Sequence, residues 1–136
     1  MLFQRIKIFL DRQNIEHRNI SDTMLVFSKN GLNYLFQHDQ SEDENYFRLI
    51  LPQIDRVETL SDSMFRTIAQ INANYKVAKI IEVEGSLWIS AEAFVFDQNN
   101  LDNLFSAFIS ILQAIIEDYR GKKREQQAQQ RPDQKS

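Results

Sequence analysis

Helix and strand signals follow one another along this chain in an order that admits few folds. In residues 2–13, Leu2, Ile6, Phe9 and Leu10 recur on one side at helical spacing, and Phe3 and Ile8 widen that stripe. Polar residues 14–22 end the helix. Met24, Leu25, Val26 and Phe27 then form a continuous apolar run of strand length. Asn30-Gly31 follows, and Leu32, Tyr34 and Phe36 line one face of a second strand over 32–38. Asn-Gly between two such runs is the strongest short-range hairpin signal, because a type I′ turn needs positive φ at both central residues. Residues 46–51 read as a third strand, stopped by Pro52, which cannot donate to a sheet ladder.

Ser61 or Asp62 caps a second helix that runs to about Asn74, with Met64, Phe65, Ile68 and Ile71 on one face. Residues 77–83 and 87–96 are two further strands, joined by a tight turn at Gly85-Ser86. Asn99 or Asn100 caps a third helix through Tyr119. Its apolar stripe over 101–119 is wider than a helix lying on one sheet face requires. Gly121 is a natural helix stop. Residues 121–136 are polar and cannot offset their ordering entropy, so they are expected to form a disordered tail, with the helix fraying as far as Ala128. The expectation is one α+β domain over residues 1–120, with five antiparallel strands and three helices in the order α-β-β-β-α-β-β-α.

Composition narrows the function classes. Ten phenylalanines supply a large core for a chain of 136 residues. A net charge of −3 argues against nucleic-acid binding, which draws on basic patches. The absence of cysteine removes disulfides, thiolate nucleophiles and cysteine-ligated metals. Residues 1–10 are interrupted by Gln4, Arg5 and Lys7 and do not read as a signal peptide. No run approaches the ~20 apolar residues of a membrane span. The cytoplasm is the expected location, with no membrane partner.

The residues that carry chemistry elsewhere have plainer readings here. His17 and His38 are too few for a zinc site or a histidine-based triad, and they read as solvated surface residues. Asp39, Glu42, Asp43 and Glu44 lack the alternating spacing and the glycine of a calcium loop, and read as a solvated hairpin loop. The three glycines are isolated, so no phosphate loop exists. Lys122, Lys123 and Arg124 complement a helix C-terminus. No catalytic residue, metal or cofactor is expected.

The strand over 87–96 poses a sharper question. Leu87, Ile89, Ala91, Ala93 and Val95 suit packing against helices, yet Trp88, Phe94 and Phe96 stand on the opposite face. The first strand is doubled in the same way, with Met24 and Val26 against Leu25 and Phe27. A one-sided antiparallel sheet alternates apolar and polar cleanly. Either the chain's own helices or ends cover this second face, or a partner does. A two-residue Gly85-Ser86 turn sets Val83 opposite Trp88, Ile81 opposite Ser90 and Lys79 opposite Glu92, with the last pair as a cross-strand ion pair. A bulged turn would instead move Trp88 opposite Glu82.

The element order and the stretch NANYKVAKIIEVEGSLWISAEAF, residues 72–94, resemble the YbjN-like family, which shares its fold with the type III secretion chaperones. That family closes its second helix with an Asn, matched by Asn72 or Asn74, and places a Lys early in the next strand, matched by Lys76 or Lys79. This chain departs in lacking the family's common proline after the last strand, and in its extra tail. The resemblance implies a twisted antiparallel sheet flanked by helices, a homodimer, and a non-enzymatic chaperone-like or regulatory role toward a protein or peptide client. The apolar second face of the 77–96 hairpin makes Ile81, Val83, Trp88, Phe94 and Phe96 the candidate protein-binding residues. The alternative is a small-ligand-binding domain or an enzyme with a pocket between sheet and helices.

Overall fold

The computed structural model describes residues 2–38 and 45–129. The acidic segment Asp39–Glu44 and the last seven residues of the expected tail lie outside them. The first helix, α1 (Leu2–Arg12), buries Leu2, Phe3, Ile6, Phe9 and Leu10, the stripe read from spacing. It ends in a left-handed Asn14, φ +56, with the Ile15 N–H donating to the Leu10 carbonyl at 2.9 Å. This is a helix stop in which a non-glycine residue takes the left-handed position and the next side chain packs on the core.

Among the described residues the sheet has six strands, not five, in the order β1-β2-β3-β4-β6-β5, all antiparallel. The unexpected strand is β1 (His17–Asn19), a short polar edge that pairs with β2 (Met24–Lys29). Three polar residues, His17 partly buried and Arg18 and Asn19 exposed, carry no periodicity, so only the pairing makes them a strand. β2 and β3 (Leu32–Gln37) form the expected hairpin, and Asn30 and Gly31 both adopt positive φ. β4 (Tyr46–Arg56) continues past Pro52. Its register shifts between Leu51 and Asp55, and Gln53 is left-handed at φ +52. Pro52 sits in that irregularity, where no ladder bond is required of it.

α2 (Asp62–Asn74) starts at Ser61, whose hydroxyl accepts the Met64 N–H at 3.2 Å. β5 (Ala78–Val83) and β6 (Ser86–Phe94) complete the sheet. Their turn is Glu84-Gly85, with φ +50 and +83, rather than Gly85-Ser86. The register therefore differs from both expected ones: Ile81 lies opposite Trp88, Lys79 opposite Ser90 and Val83 opposite Ser86. The pairing slips by two residues from the first expectation, which preserves every side chain's face.

α3 (Leu101–Gln129) crosses the sheet with its aromatic side down. Phe105 lies 5.4 Å from Phe9 of α1 and 5.6–6.3 Å from Phe27, Phe36 and Phe47 of the sheet, ring centre to ring centre. Its wide apolar stripe is consumed within the chain, since α3 also packs on α1 and α2.

The helix does not stop at Gly121, and residues 121–129 are not a disordered tail. Tertiary bonds hold them. Asp55 of β4 accepts from Tyr119 Oη and from Lys123 Nζ, each at 2.5 Å, and Gln126 donates to the Thr67 hydroxyl of α2 at 2.9 Å. Burial pushes the Asp55 carboxyl up, but the Lys123 and Tyr119 bonds and the Arg56 N–H together hold it below its ordinary value. Burial, and then the Asp55 bond and charge, push the Tyr119 hydroxyl well above the usual phenol range.

Two outcomes follow. A Cβ added at Gly121 meets nothing closer than a side-chain atom at 4.0 Å, so Gly121→Ala is expected to stabilise by about 0.5–1 kcal/mol in urea unfolding. A helix ending there would instead lose stability. For Asp55, a folded pKa below the unfolded value, about 3.9, means stability present above that value and lost as pH falls through the folded one. Asp55→Asn is expected to cost about 2 kcal/mol at pH 7 and to flatten the acid limb below pH 4. An acid limb as steep as wild type in that variant would assign the sensitivity to another group.

Candidate protein-binding face

The three helices described all lie on one side of the sheet. That side carries Leu25 and Phe27, Tyr34 and Phe36, Phe47, Leu49 and Leu51, Leu87, Ile89 and Ala91, and Ala78 and Ile80, all in one core cluster. Burial, and then the charge of Glu117, push the Tyr34 hydroxyl on this side up to about 12.

The opposite face follows from the register. One row across the sheet runs Arg18, Val26, Leu35, Ile50, Ser90, Lys79. A second runs Met24, Gln37, Arg48, Glu92. Trp88 and Ile81 form a pair beside the first row, and Tyr46 and Phe94 a pair beside the second. Ile50 is 3% exposed yet is not part of the core cluster beneath the helices. Val26, Leu35, Trp88, Ile81 and Val83 likewise neither join that cluster nor pack on it. They form a separate apolar strip, diagonal neighbours being within reach of aromatic side chains. The indole N–H of Trp88 finds no acceptor among the described residues.

One charge cluster interrupts the strip. Arg48 reaches Glu92 at 3.3 Å and the Tyr46 hydroxyl at 3.2 Å, and that hydroxyl donates to Glu92. The Tyr46 bond, against burial, raises the Arg48 pKa further, while burial and the Glu92 bond raise that of Tyr46. The cluster is internally neutral. The expected ion pair between Lys79 and Glu92 does not form, because Lys79 Nζ instead donates to the Asn72 and Tyr75 carbonyls at 2.6 and 2.7 Å. A lysine at the start of β5 thus satisfies carbonyls that the end of α2 leaves without partners.

The candidate residues fall into two places. Ile81, Val83 and Trp88 lie on the strip, with Ile81 41% exposed. Phe94 and Phe96 lie at its far corner, 54% and 80% exposed and stacked with centroids 6.0 Å apart. Phe96 is past the end of β6, and Val95 between them turns into the core. A groove of about 450 Å³ runs from this aromatic pair to Asn103 and Leu104 of α3. Sequence reasoning missed Leu35 and Ile50. Their strands read as ordinary apolar runs, and which neighbours share a face depends on the pairing of β3 with β4.

The histidines are not the solvated residues expected. His38 is 3% exposed, and its Nδ1 donates to the Tyr46 carbonyl at 2.8 Å. His17 bonds Asp11 at 2.6 Å. Closure of β3 against β4 draws His38 under the chain, an effect its sequence neighbours do not announce. Among the described residues no three His, Asp or Glu side chains are grouped to hold a metal ion. No helix among them is long and apolar enough to cross a membrane. Comparison with protein families and with curated proteins found no match to this chain.

Leu49 and Ile50 are adjacent, similarly buried and on opposite faces. Leu49→Ala is expected to cost about 2–5 kcal/mol, because it opens a cavity in the helix-covered core. Ile50→Ala should cost about 1–2 kcal/mol, since its site can collapse toward solvent. Equal losses in denaturant unfolding would place both faces in one core.

Proposed function

We propose that this protein is a non-enzymatic protein-binding module, a homodimer of chaperone-like or regulatory type, whose partner surface is the outer face of the sheet. The observation that carries the reading is the second apolar strip. Val26, Leu35, Ile50, Trp88 and Ile81 sit on the side of the sheet opposite the described helices and outside the core cluster. Strands about 4.8 Å apart and about 20 Å long make that face on the order of 500 Å², comparable with the largest patch of a typical monomer, which is often functional. The Arg48–Glu92 pair is neutral and hydrogen-bonded, so it can be covered without stranding a single charge. Phe94 and Phe96 extend the surface to its corner, where a protein or peptide client meets aromatic side chains. The resemblance to the YbjN-like family and the type III secretion chaperone fold supports the same reading, with action in the cytoplasm. The layer between sheet and helices is filled by aromatic rings, which disfavours a ligand pocket there.

The test is Trp88→Ala combined with Phe94→Ala. Far-UV circular dichroism should match wild type. Self-association measured by sedimentation should weaken about 30-fold or more, the loss of about 2 kcal/mol expected of central aromatics. A double variant that unfolds would return those rings to the monomer's own core. Wild type that is monomeric at high micromolar concentration would remove the dimer.

A further inference from the structure

The two edges of the sheet are built differently. β1 ends it with three polar residues, of which Arg18 and Asn19 are exposed. β5 ends it with Ala-Lys-Ile-Ile-Glu-Val, a β-branched strand of the kind that adds readily to another. Ile80 faces Ile89 of β6. At this place in the register its own N–H and C=O point away from β6, and Asn72 of α2 takes both. The Asn72 carboxamide accepts the Ile80 N–H at 2.7 Å and donates to the Ile80 carbonyl at 3.0 Å. This is the two-bond exchange that a residue of a neighbouring antiparallel strand would make.

The surroundings hold that side chain in place. Lys79 Nζ binds the Asn72 and Tyr75 carbonyls and ties the end of α2 to the strand. The Ala78 N–H, on the same outward side as Ile80, donates to the Lys76 carbonyl at 2.9 Å in a three-residue turn. Val77, at its centre, has φ +78, a conformation that a β-branched residue adopts only under strain. A strained link is thus retained exactly where α2 meets the free edge.

We infer that Asn72 guards this edge: its carboxamide occupies the strand-addition site on β5, and the partner it excludes is β5 of a second copy. The sequence suits that occupant. About a twofold axis through Ile80, Ala78 opposes Glu82 and Lys79 opposes Ile81, so no like charges face each other. Glu82, two residues on from Ile80, also turns its backbone groups outward. This edge is separate from the outer face proposed above, and association through it adds to whatever assembly wild type forms.

The experiment compares masses by sedimentation equilibrium. Asn72→Ala frees both Ile80 groups, and its first added species is expected at about twice the wild-type mass. Glu82→Pro in that background removes an outward N–H without touching a bond to β6, and should return the mass to the wild-type value. If Asn72→Ala is unfolded by circular dichroism, Asn72→Asp keeps the side chain's shape but replaces the donor to Ile80 with a carboxylate oxygen that the Ile80 carbonyl repels, with the same expectation. A folded variant that keeps the wild-type mass overturns the inference. So does added association that Glu82→Pro leaves intact, and so does unfolding of both Asn72 variants, which would make the carboxamide a folding element rather than a guard.

Discussion

Phe105 is the ring on which the layers meet. It contacts Phe9 from α1 and Phe27, Phe36 and Phe47 from three neighbouring strands. Phe108, one turn further along α3, adds a second contact to Phe47. Aromatic pairs at these distances contribute about 0.5–1.5 kcal/mol each beyond the area they bury. More important is where they point. Because the rings converge on one side of the sheet, α1 and α3 must lie there, and α2 follows by packing on α3 and β5. An outer face that none of the described helices covers is the geometric consequence of that one-sided core.

Polar side chains then fix the ends of elements that apolar packing leaves loose. Asp55 gathers Tyr119 and Lys123 at the irregular part of β4 and holds α3 past its glycine. Asn72 and Lys79 lock the end of α2 to β5. Buried polar groups cost little only when each is bonded, and these ties meet that condition with charged or bidentate partners. They explain why a long, polar helical extension and a strained Val77 persist in a small domain.

The functional reading rests on the contrast between the two sides. Beneath the helices every large apolar side chain belongs to one cluster, whereas the outer strip has its own arrangement centred on Ile50 and Trp88. A strip of this kind, with its one ion cluster self-neutralised, suits a surface that alternates between water and a protein partner.

Periodicity and turn chemistry alone determined the class of fold, the three helices, the Asn30-Gly31 hairpin and the faces of β6. Those properties are set by contacts a few residues apart, and a strand's alternation survives a slip of two residues, so Trp88 and Ile81 were placed on the right face in the wrong register. Tertiary structure decided the rest. Three polar residues became β1 only by pairing with β2, Pro52 was tolerated because β4 is irregular there, and His38 was buried by the closure of β3 on β4. Gly121 stayed helical because Asp55 and Thr67, distant in sequence, bind the side chains beyond it. In each case the deciding energy comes from a partner far along the chain, which local pattern cannot contain.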